Sequence, residues 1–476
     1  KRGGAVLIGA CLIGLCIFGI RGRTGYNPIK VSAAYFCQDA FLNQLGVSPT
    51  FNLLTSVMDD MRPENKYLHL MDEQEAITKA QALLNRPGDA NVSPLAVYRR
   101  AAKADSVQQR RPNVVLIMME SMSAEFMKHF GQSETLTPFL DSLYTRSISF
   151  RNFYSAGIHT NHGLYATLYS FPAMMKRNLM KGSVIPRYSG LPTVLKENGY
   201  YNLFFMTHEG QYDNMNAFFR TNGYDEVFSQ ENYPADKVVN SFGVQDDFLY
   251  DYAIPVLNQR AATGQPFFAT LLSISNHPPY VIPPFFHPKT SEPETQIVEY
   301  ADWALRQFFE EARKQPWFDN TIFVLEGDHG KLVGDAECEL PESYNHIPLM
   351  IYSSRIQPEE KTTFGGQVDI QPTILGLLNI DYLQNNFGVD LLKEERPCMF
   401  YTADNMVVGR NDTLLYLYNY ETQQELTYDI GNGKLNAVPM DDSFLPLKEY
   451  SFSMLQSAEF LVKHGKTLNS IPFTQQ

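Results

Sequence analysis

Four short apolar runs, each ending on a side chain that can hold a cation or a phosphoryl oxygen, constrain this chain more than any other feature. Residues 114–119 run into Glu120, 203–206 into His208, 267–274 into His277, and 321–325 into the pair Asp328-His329. Runs of this length, rich in Val, Ile, Leu and Phe, predict strands covered on both faces of a parallel sheet. In such sheets the ligand site lies beyond the carboxyl ends of the strands. The four ends are therefore expected to converge on one spot.

The surrounding pattern supports an α/β architecture. From residue 113 to about 381, apolar strands alternate with helical stretches at 137–144, 190–198 and 299–314, as in a sheet with helices on both faces. Residues 399–430 instead alternate polar and apolar side chains around a turn cluster at 409–412, which predicts a small antiparallel sheet, and 445–464 reads as a closing helix. Upstream, 31–61 and 71–85 carry helix-like apolar spacing punctuated by Pro49, Pro63 and Pro87, and the polar stretch 101–111 stops at Pro112. Residues 3–20 are uncharged, just long enough to span a bilayer, and flanked by Lys1-Arg2 on one side and by Arg21 and Arg23 on the other. No small-residue cleavage site follows them, so a membrane anchor, or the last helix of a truncated bundle, is expected rather than a signal peptide. The flanking charges balance and do not orient it. The expected organisation is a transmembrane helix over 1–23, a juxtamembrane helical segment and linker over 24–111, and a catalytic domain over 112–476, with 399–476 as its C-terminal subdomain.

Composition narrows the function classes. With 44% hydrophobic and 13% aromatic residues in 476, the chain can build a large core and is not disordered. A formal charge of −13 argues against a nucleic-acid partner, which would demand clustered Lys and Arg. The five cysteines, Cys11, Cys16, Cys37, Cys338 and Cys398, form no C-x-x-C pair, so neither a thiolate zinc site nor a disulfide framework is expected. A Cys338–Cys398 bridge stays open in an oxidising compartment.

Thr160 is the most informative single residue. In SAGIHTNHGLYATLYSFP it follows Gly157 and opens a helical stretch that Pro172 terminates. A threonine there is by default an N-cap. The same position is where unpaired N–H groups and the helix dipole would stabilise a phosphoryl group. Glu120, in MMESMS, reads equally as an exposed acid opening the next helix. Asp328-His329, between Gly327 and Gly330 at the end of a buried strand, has little packing purpose. Together Glu120, Thr160, Asp328 and His329 offer three oxygens and one nitrogen to a divalent ion, a set that favours Mn²⁺ or Mg²⁺. Coordination would make the threonine hydroxyl a usable nucleophile. His277, in SISNHPPY, is placed opposite as a donor or general acid to a leaving oxygen, its plainer alternative being a turn histidine. His208, in FMTHEGQYDNM, is the weaker candidate. His346 and Asp369 are the candidates for a second metal but do not assemble into a site, so one ion is expected.

In this order, NVVLIMMES, TPFLDSL, NFYSAGIHTNHG, LPTVLKENGYY, NGYDEVF, SNHPPY, EGDHG, HIPLMIY, VDIQPTIL, FGVDLL and TYDIGNGKLN resemble the lipoteichoic acid synthase-like branch of the alkaline phosphatase and sulfatase superfamily, over residues 113–436. The helices before residue 112 also look like the tail of that family's membrane portion. The resemblance implies that superfamily's sheet, one divalent metal, with manganese favoured, at Glu120, Thr160, Asp328 and His329, and Thr160 as the residue that becomes phosphorylated. It further implies a bacterial cytoplasmic-membrane enzyme with an extracytoplasmic catalytic domain. Its donor would be a phospholipid such as phosphatidylglycerol, and its acceptor a hydroxyl of an envelope glycan or glycolipid. His277 matches the family's substrate-binding histidine, and His346 a histidine found in many relatives.

Two departures bear on chemistry. Synthases that polymerise glycerol phosphate carry a Trp and an Arg after the strand ending at His208, where this chain reads Tyr212-Asp213-Asn214-Met215, which makes Asp213 and Asn214 candidates for the headgroup pocket. True sulfatases need a Cys or Ser in a C-x-P-x-R context, whereas Thr160 lies in HTNHG. The expected activity is transfer of a phosphoglycerol-type group through a phosphothreonine. Its rivals are a phosphoethanolamine transferase, a phosphodiesterase or phosphatase, and a non-catalytic binding relative.

Overall fold

The strand-forming runs assemble into one sheet of β1 (Asn113–Met119), β2 (Ile148–Tyr154), β3 (Tyr201–Met206), β4 (Glu226–Phe228), β5 (Phe267–Leu272), β6 (Thr321–Gly327), β7 (Leu349–Tyr352) and β8 (Glu359–Gly366). Its order is β8-β2-β7-β6-β1-β5-β3-β4. The structure is a computed structural model that describes residues 2–24, 28–37, 40–62, 65–84, 99–101, 111–182 and 185–468. The four strands singled out by their terminal residues, β6, β1, β5 and β3, are consecutive neighbours and all parallel. Leu116 sits opposite both Thr270 and Val324, which sets the strand ends level.

The sheet is not parallel throughout. β7 runs antiparallel to both β2 and β6, so the architecture is mixed. An apolar run such as LMIY reads as a doubly buried strand in either direction, and hydrophobicity carries no information about polarity along the chain.

Alternation across the sheet divides the core. Val114, Leu116 and Met118 pack on one side with Leu164 and Leu168 of α5 (Thr160–Tyr169), Val194 of α6 (Leu191–Glu197), Ile374 of α9 (Ile370–Leu377) and Leu455 of α10 (Leu445–Lys463). Val115, Ile117 and Met119 pack on the other with Leu140 of α4 (Pro138–Tyr144), Leu249 of α7 (Asp246–Ala261) and Leu305 of α8 (Pro293–Ala312). Period-two alternation with both faces apolar is what a helix-covered sheet requires. The second sheet, β9 (Met399–Thr402), β10 (Met406–Arg410), β11 (Leu414–Asn419), β12 (Gln424–Asp429) and β13 (Asn436–Ala437), is an antiparallel meander against which α10 packs.

Upstream, α1 (Arg2–Arg21) is long and apolar enough to cross a membrane, and none of its hydrophobic window is buried. The spacing over 31–61 resolves into a 3₁₀ turn (Val31–Ala34) and two helices, Ala40–Leu45 and α2 (Pro49–Asp60). α3 (Glu73–Leu84) is not a free juxtamembrane helix. It buries Ala76, Ile77, Ala80 and Leu84 and packs on α10, with the Leu70 N–H donating to Gln456 Oε1 at 2.7 Å. Residue 85 and most of the polar stretch 101–111 lie outside the described residues. Cys338 and Cys398 are both free thiols, so the bridge left open above is not made.

Candidate active site

Because β6, β1, β5 and β3 are parallel neighbours, their carboxyl ends lie side by side, and Glu120 and Asp328 emerge next to each other. The Glu120 N–H donates to Ser273 Oγ at 3.0 Å, just past β5. Ser121 adopts a left-handed φ of 50°, uncommon for a residue with a side chain. That turn aims its N–H at Asp328 Oδ1 (2.8 Å) while its hydroxyl donates to Glu120 Oε1 (2.8 Å). Asn276 Nδ2 donates to the carbonyls of Glu120 (3.1 Å) and Ser121 (3.0 Å), tying the β5 loop to the same turn.

What this turn leaves open matters more than what it closes. Asp328 is fully buried, and its Oδ1 accepts from Ser121 and from the His329 N–H (2.7 Å), yet its Oδ2 has no partner. His329 Nδ1 faces the Gly330 carbonyl at 2.8 Å. A carbonyl only accepts, so Nδ1 carries a proton and, in the neutral ring, the Nε2 lone pair points at Glu120 Oε1 (3.7 Å) and Asp328 Oδ2 (3.6 Å). Those separations are too long for hydrogen bonds. Ligand atoms of Glu120, Asp328 and His329 all lie within 4.8 Å of one another. Burial, with the Asp328 charge beside it, pushes the Glu120 carboxyl well above the usual carboxylate range. Two buried carboxylates and an imidazole lone pair facing one space, with an orphan oxygen among them, fit a divalent cation.

Thr160 joins this group. It is the first residue of α5, and His159, in extended backbone, takes the N-cap position instead. The Thr160 hydroxyl is turned to Glu120 Oε2 at 3.5 Å. The ordinary cap reading therefore does not describe it. Gly163, one turn along, allows the approach, because a Cβ there would lie 2.2 Å from the Asp328 carbonyl oxygen. A helix start aimed at this space adds unpaired backbone N–H groups and a positive dipole end.

A cleft of about 1000 Å³ opens over the cluster, lined by Glu120, Thr160, Asp213, His277, His329 and Lys331. His277 Nδ1 lies 2.6 Å from the Pro278 carbonyl, so Nε2 is its free nitrogen, and burial lowers its pKa. Lys331, which sequence reasoning missed, donates to Asn276 Oδ1 (2.5 Å) and lies 4.9 Å from the Tyr280 ring centre. Burial pulls its pKa down to about 8 despite the nearby Glu120. Its place two residues after His329 in GDHGKL was the available signal. His159 was also missed. Its Nε2 lies 2.6 Å from Asp404 Oδ1 in the β9–β10 hairpin, so the second sheet reaches the rim of the cleft.

Other candidates are placed elsewhere. Asp213 lines the cleft, paired to Lys181 Nζ at 2.8 Å, whereas the Asn214 amide is turned to the Met180 carbonyl (2.9 Å). His208 is buried beneath the loop, with its ring 4.6 Å from that of Tyr212. It supports Tyr212 rather than facing the cleft. His346 has both ring nitrogens engaged, Nδ1 with Glu125 Oε1 (2.9 Å) and Nε2 with the Arg151 carbonyl (2.8 Å). Burial opposes its charge, but the Glu125 carboxylate and these acceptors raise its pKa on balance. Asp369 is locked to Arg396. Neither residue is available to a second metal.

Comparisons with known proteins bear on the family and the fold. Residues 112–380 match the sulfatase family. Lipoteichoic acid synthase 1 of Bacillus subtilis (strain 168) is 25% identical over 350 residues, 68% of this chain and 53% of that protein. The lipoteichoic acid synthase of Staphylococcus saprophyticus is 24% identical over 367 residues, 70% of this chain and 54% of that protein. The chain thus spans about half the length of the curated relatives it matches. Among solved structures, an alkaline phosphatase superfamily protein from Vibrio parahaemolyticus superposes with a TM-score of 0.74 at 26% identity, covering 84% of this chain and 98% of that one. The lipoteichoic acid synthase LtaP from Listeria monocytogenes superposes with a TM-score of 0.65 at 21% identity, covering 75% and 93%. A mixed sheet with helices on both faces, a strand-end cluster of Glu120, Asp328 and His329, and a family match over more than half its length lead to one conclusion: the chain belongs to the sulfatase family, with the fold of the alkaline phosphatase superfamily.

Proposed function

We propose that this protein moves a phosphoglycerol-type group from a membrane phospholipid, such as phosphatidylglycerol, to a hydroxyl of an envelope glycan or glycolipid through a phosphothreonine at Thr160. The reading is carried by one observation: the orphan Asp328 Oδ2 faces the His329 lone pair and Glu120, and Glu120 also receives the Thr160 hydroxyl. The names of the relatives favour a synthase-type donor and acceptor.

In this scheme the Thr160 hydroxyl gives up its proton as its oxygen bonds to phosphorus, the bond from phosphorus to the diacylglycerol oxygen breaks, and that oxygen takes up a proton in turn. An acceptor hydroxyl then displaces the Thr160 oxygen. A divalent ion, Mn²⁺ or Mg²⁺, held by Glu120, Thr160, Asp328 and His329 would lower the cost of the threonine alkoxide and of charge on the phosphoryl oxygens. Lys331 and the backbone donors at the start of α5 bring fixed positive charge to the same oxygens. His277, with Nε2 free, serves the oxygen that leaves or the hydroxyl that arrives. Placing α1 in a bacterial cytoplasmic membrane, with the catalytic domain outside, would bring the site to a donor confined to that membrane.

Mass spectrometry of acid-quenched protein after incubation with phosphatidylglycerol tests this. Phosphoglycerol on the peptide containing Thr160 is expected, and transfer without any adduct contradicts the scheme. A second reading, phosphoethanolamine transfer, is favoured by the Asp213 carboxylate in the cleft, which an ammonium headgroup would share with or take over from Lys181. An adduct formed from phosphatidylethanolamine alone would select it.

A further inference from the structure

A second cavity, of about 640 Å³, lies between α2 with residues 62 and 65–67 on one side and residues 176–182, Pro186 and Tyr188 on the other. In a chain of formal charge −13, its lining carries Arg62, Lys66, Lys176, Arg177 and Lys181 against one acid, Asp59. Some of this charge is answered nearby. Arg177 Nη2 pairs with Glu459 (2.7 Å), Lys181 with Asp213 (2.8 Å), Lys176 with Glu421 (3.8 Å) and Arg62 with Asp59 (3.4 Å). Two buried donors in the lining nevertheless have no acceptor, Arg177 Nε and Asn178 Nδ2. Five basic side chains around a single acid in the lining are the chemistry of an anion site.

The neighbouring face of α2 identifies the source of the anion. Leu53, Leu54, Val57, Met58 and Met61 recur at helical spacing and are 49–77% exposed, while Ser56 and Asp59 of the same helix line the cavity. An apolar stripe bordering a basic pocket, on a chain whose α1 is long and apolar enough to span a membrane, matches a helix lying in the bilayer interface. We propose that this cavity binds the phosphate of an anionic phospholipid headgroup, with Lys66 and Lys176 at its mouth and the α2 stripe against the acyl chains. It is separate from the catalytic cleft, and Lys181, paired with the cleft residue Asp213, stands between the two.

The test uses the full chain in phosphatidylcholine nanodiscs containing a phosphatidylglycerol or phosphatidylcholine probe with a photoactivatable group beside the headgroup. The phosphatidylglycerol probe should label peptides covering 53–67 and 176–182 about fivefold more than its zwitterionic counterpart, and the Lys66→Gln/Lys176→Gln double variant should lower that labelling about tenfold. Both lysines are exposed, so folding is preserved. Equal labelling by the two probes, or labelling unchanged in the double variant, overturns the proposal. Displacement of the label by millimolar inorganic phosphate assigns the cavity to a soluble anion and overturns the lipid assignment. The same labelling is expected in Thr160→Ala, so failure here and failure of the transfer reading are separable.

Discussion

Two buried aspartates of this protein, Asp369 and Asp328, differ in what they leave open. At Asp369, every charge is answered: Arg396 Nε reaches Oδ2 at 2.9 Å and Oδ1 at 3.1 Å, Arg396 Nη1 reaches the Tyr450 hydroxyl at 2.6 Å, and both side chains are fully buried. At Asp328, one oxygen has no partner, a second carboxylate lies beside it, and the His329 Nε2 faces it beyond hydrogen-bond distance. A buried carboxylate paired with Arg is architecture. Two carboxylates buried together without a cation make a site whose missing charge must be supplied from outside.

Substitutions can break this contrast in graded ways. The largest effect is expected for Thr160→Ala, which should lower transfer by about 10⁴-fold or more, as removal of a covalent nucleophile does. Its melting curve should stay close to wild type, because Thr160 is not the helix cap. Parallel loss of activity and stability would return the residue to a structural role. Next, Asp369→Asn should cost about 3–5 kcal/mol in denaturant unfolding, since it strands a buried guanidinium. Asp328→Asn in chelator should not be destabilising, because it relieves the charge pressing on Glu120. Similar losses for the two would erase the distinction. Lys331→Met should reduce kcat/KM about 10²-fold with folding intact, the scale of one fixed donor at a transition-state oxygen.

The smallest effect is in pH. A carboxyl raised in the folded state holds its proton where the unfolded chain has lost it. Metal-free stability should therefore fall as pH rises from the ordinary glutamate value of 4.5 through the raised Glu120 pKa. Other buried acids, such as Asp246 at about 6, contribute to the same slope, so the diagnostic is the part that Glu120→Gln removes. Thermal melts in chelator should show a shallower fall in that variant, and an identical slope would contradict the assignment of the shift to Glu120.

The contrast also explains what was legible in the sequence. β1, β3, β5 and β6 could be read because both their faces are apolar, and their ends could be read because Glu120 and Asp328-His329 follow them directly. The reversal of β7 could not, since strand direction leaves no mark on hydrophobicity. The burial of Lys331 depends on Asn276 and Tyr280, more than fifty residues earlier, so its own stretch of sequence does not show it. His208, the weaker candidate, and His346 carry no local mark of their partners. Only the fold shows that Glu125 and the Arg151 carbonyl occupy both nitrogens of His346, and that His208 lies beneath Tyr212. The docking of α3 on α10 was hidden because an amphipathic period names a buried face but not its partner.

The most direct test of the open cluster is calorimetric titration of Mn²⁺ into the metal-free protein, alongside Asp328→Ala and Asp369→Asn. The account predicts one ion bound per wild-type chain, binding abolished in Asp328→Ala, and binding retained in Asp369→Asn as long as that variant is folded. Stoichiometric binding that survives in Asp328→Ala, or no binding by the wild type, would contradict it.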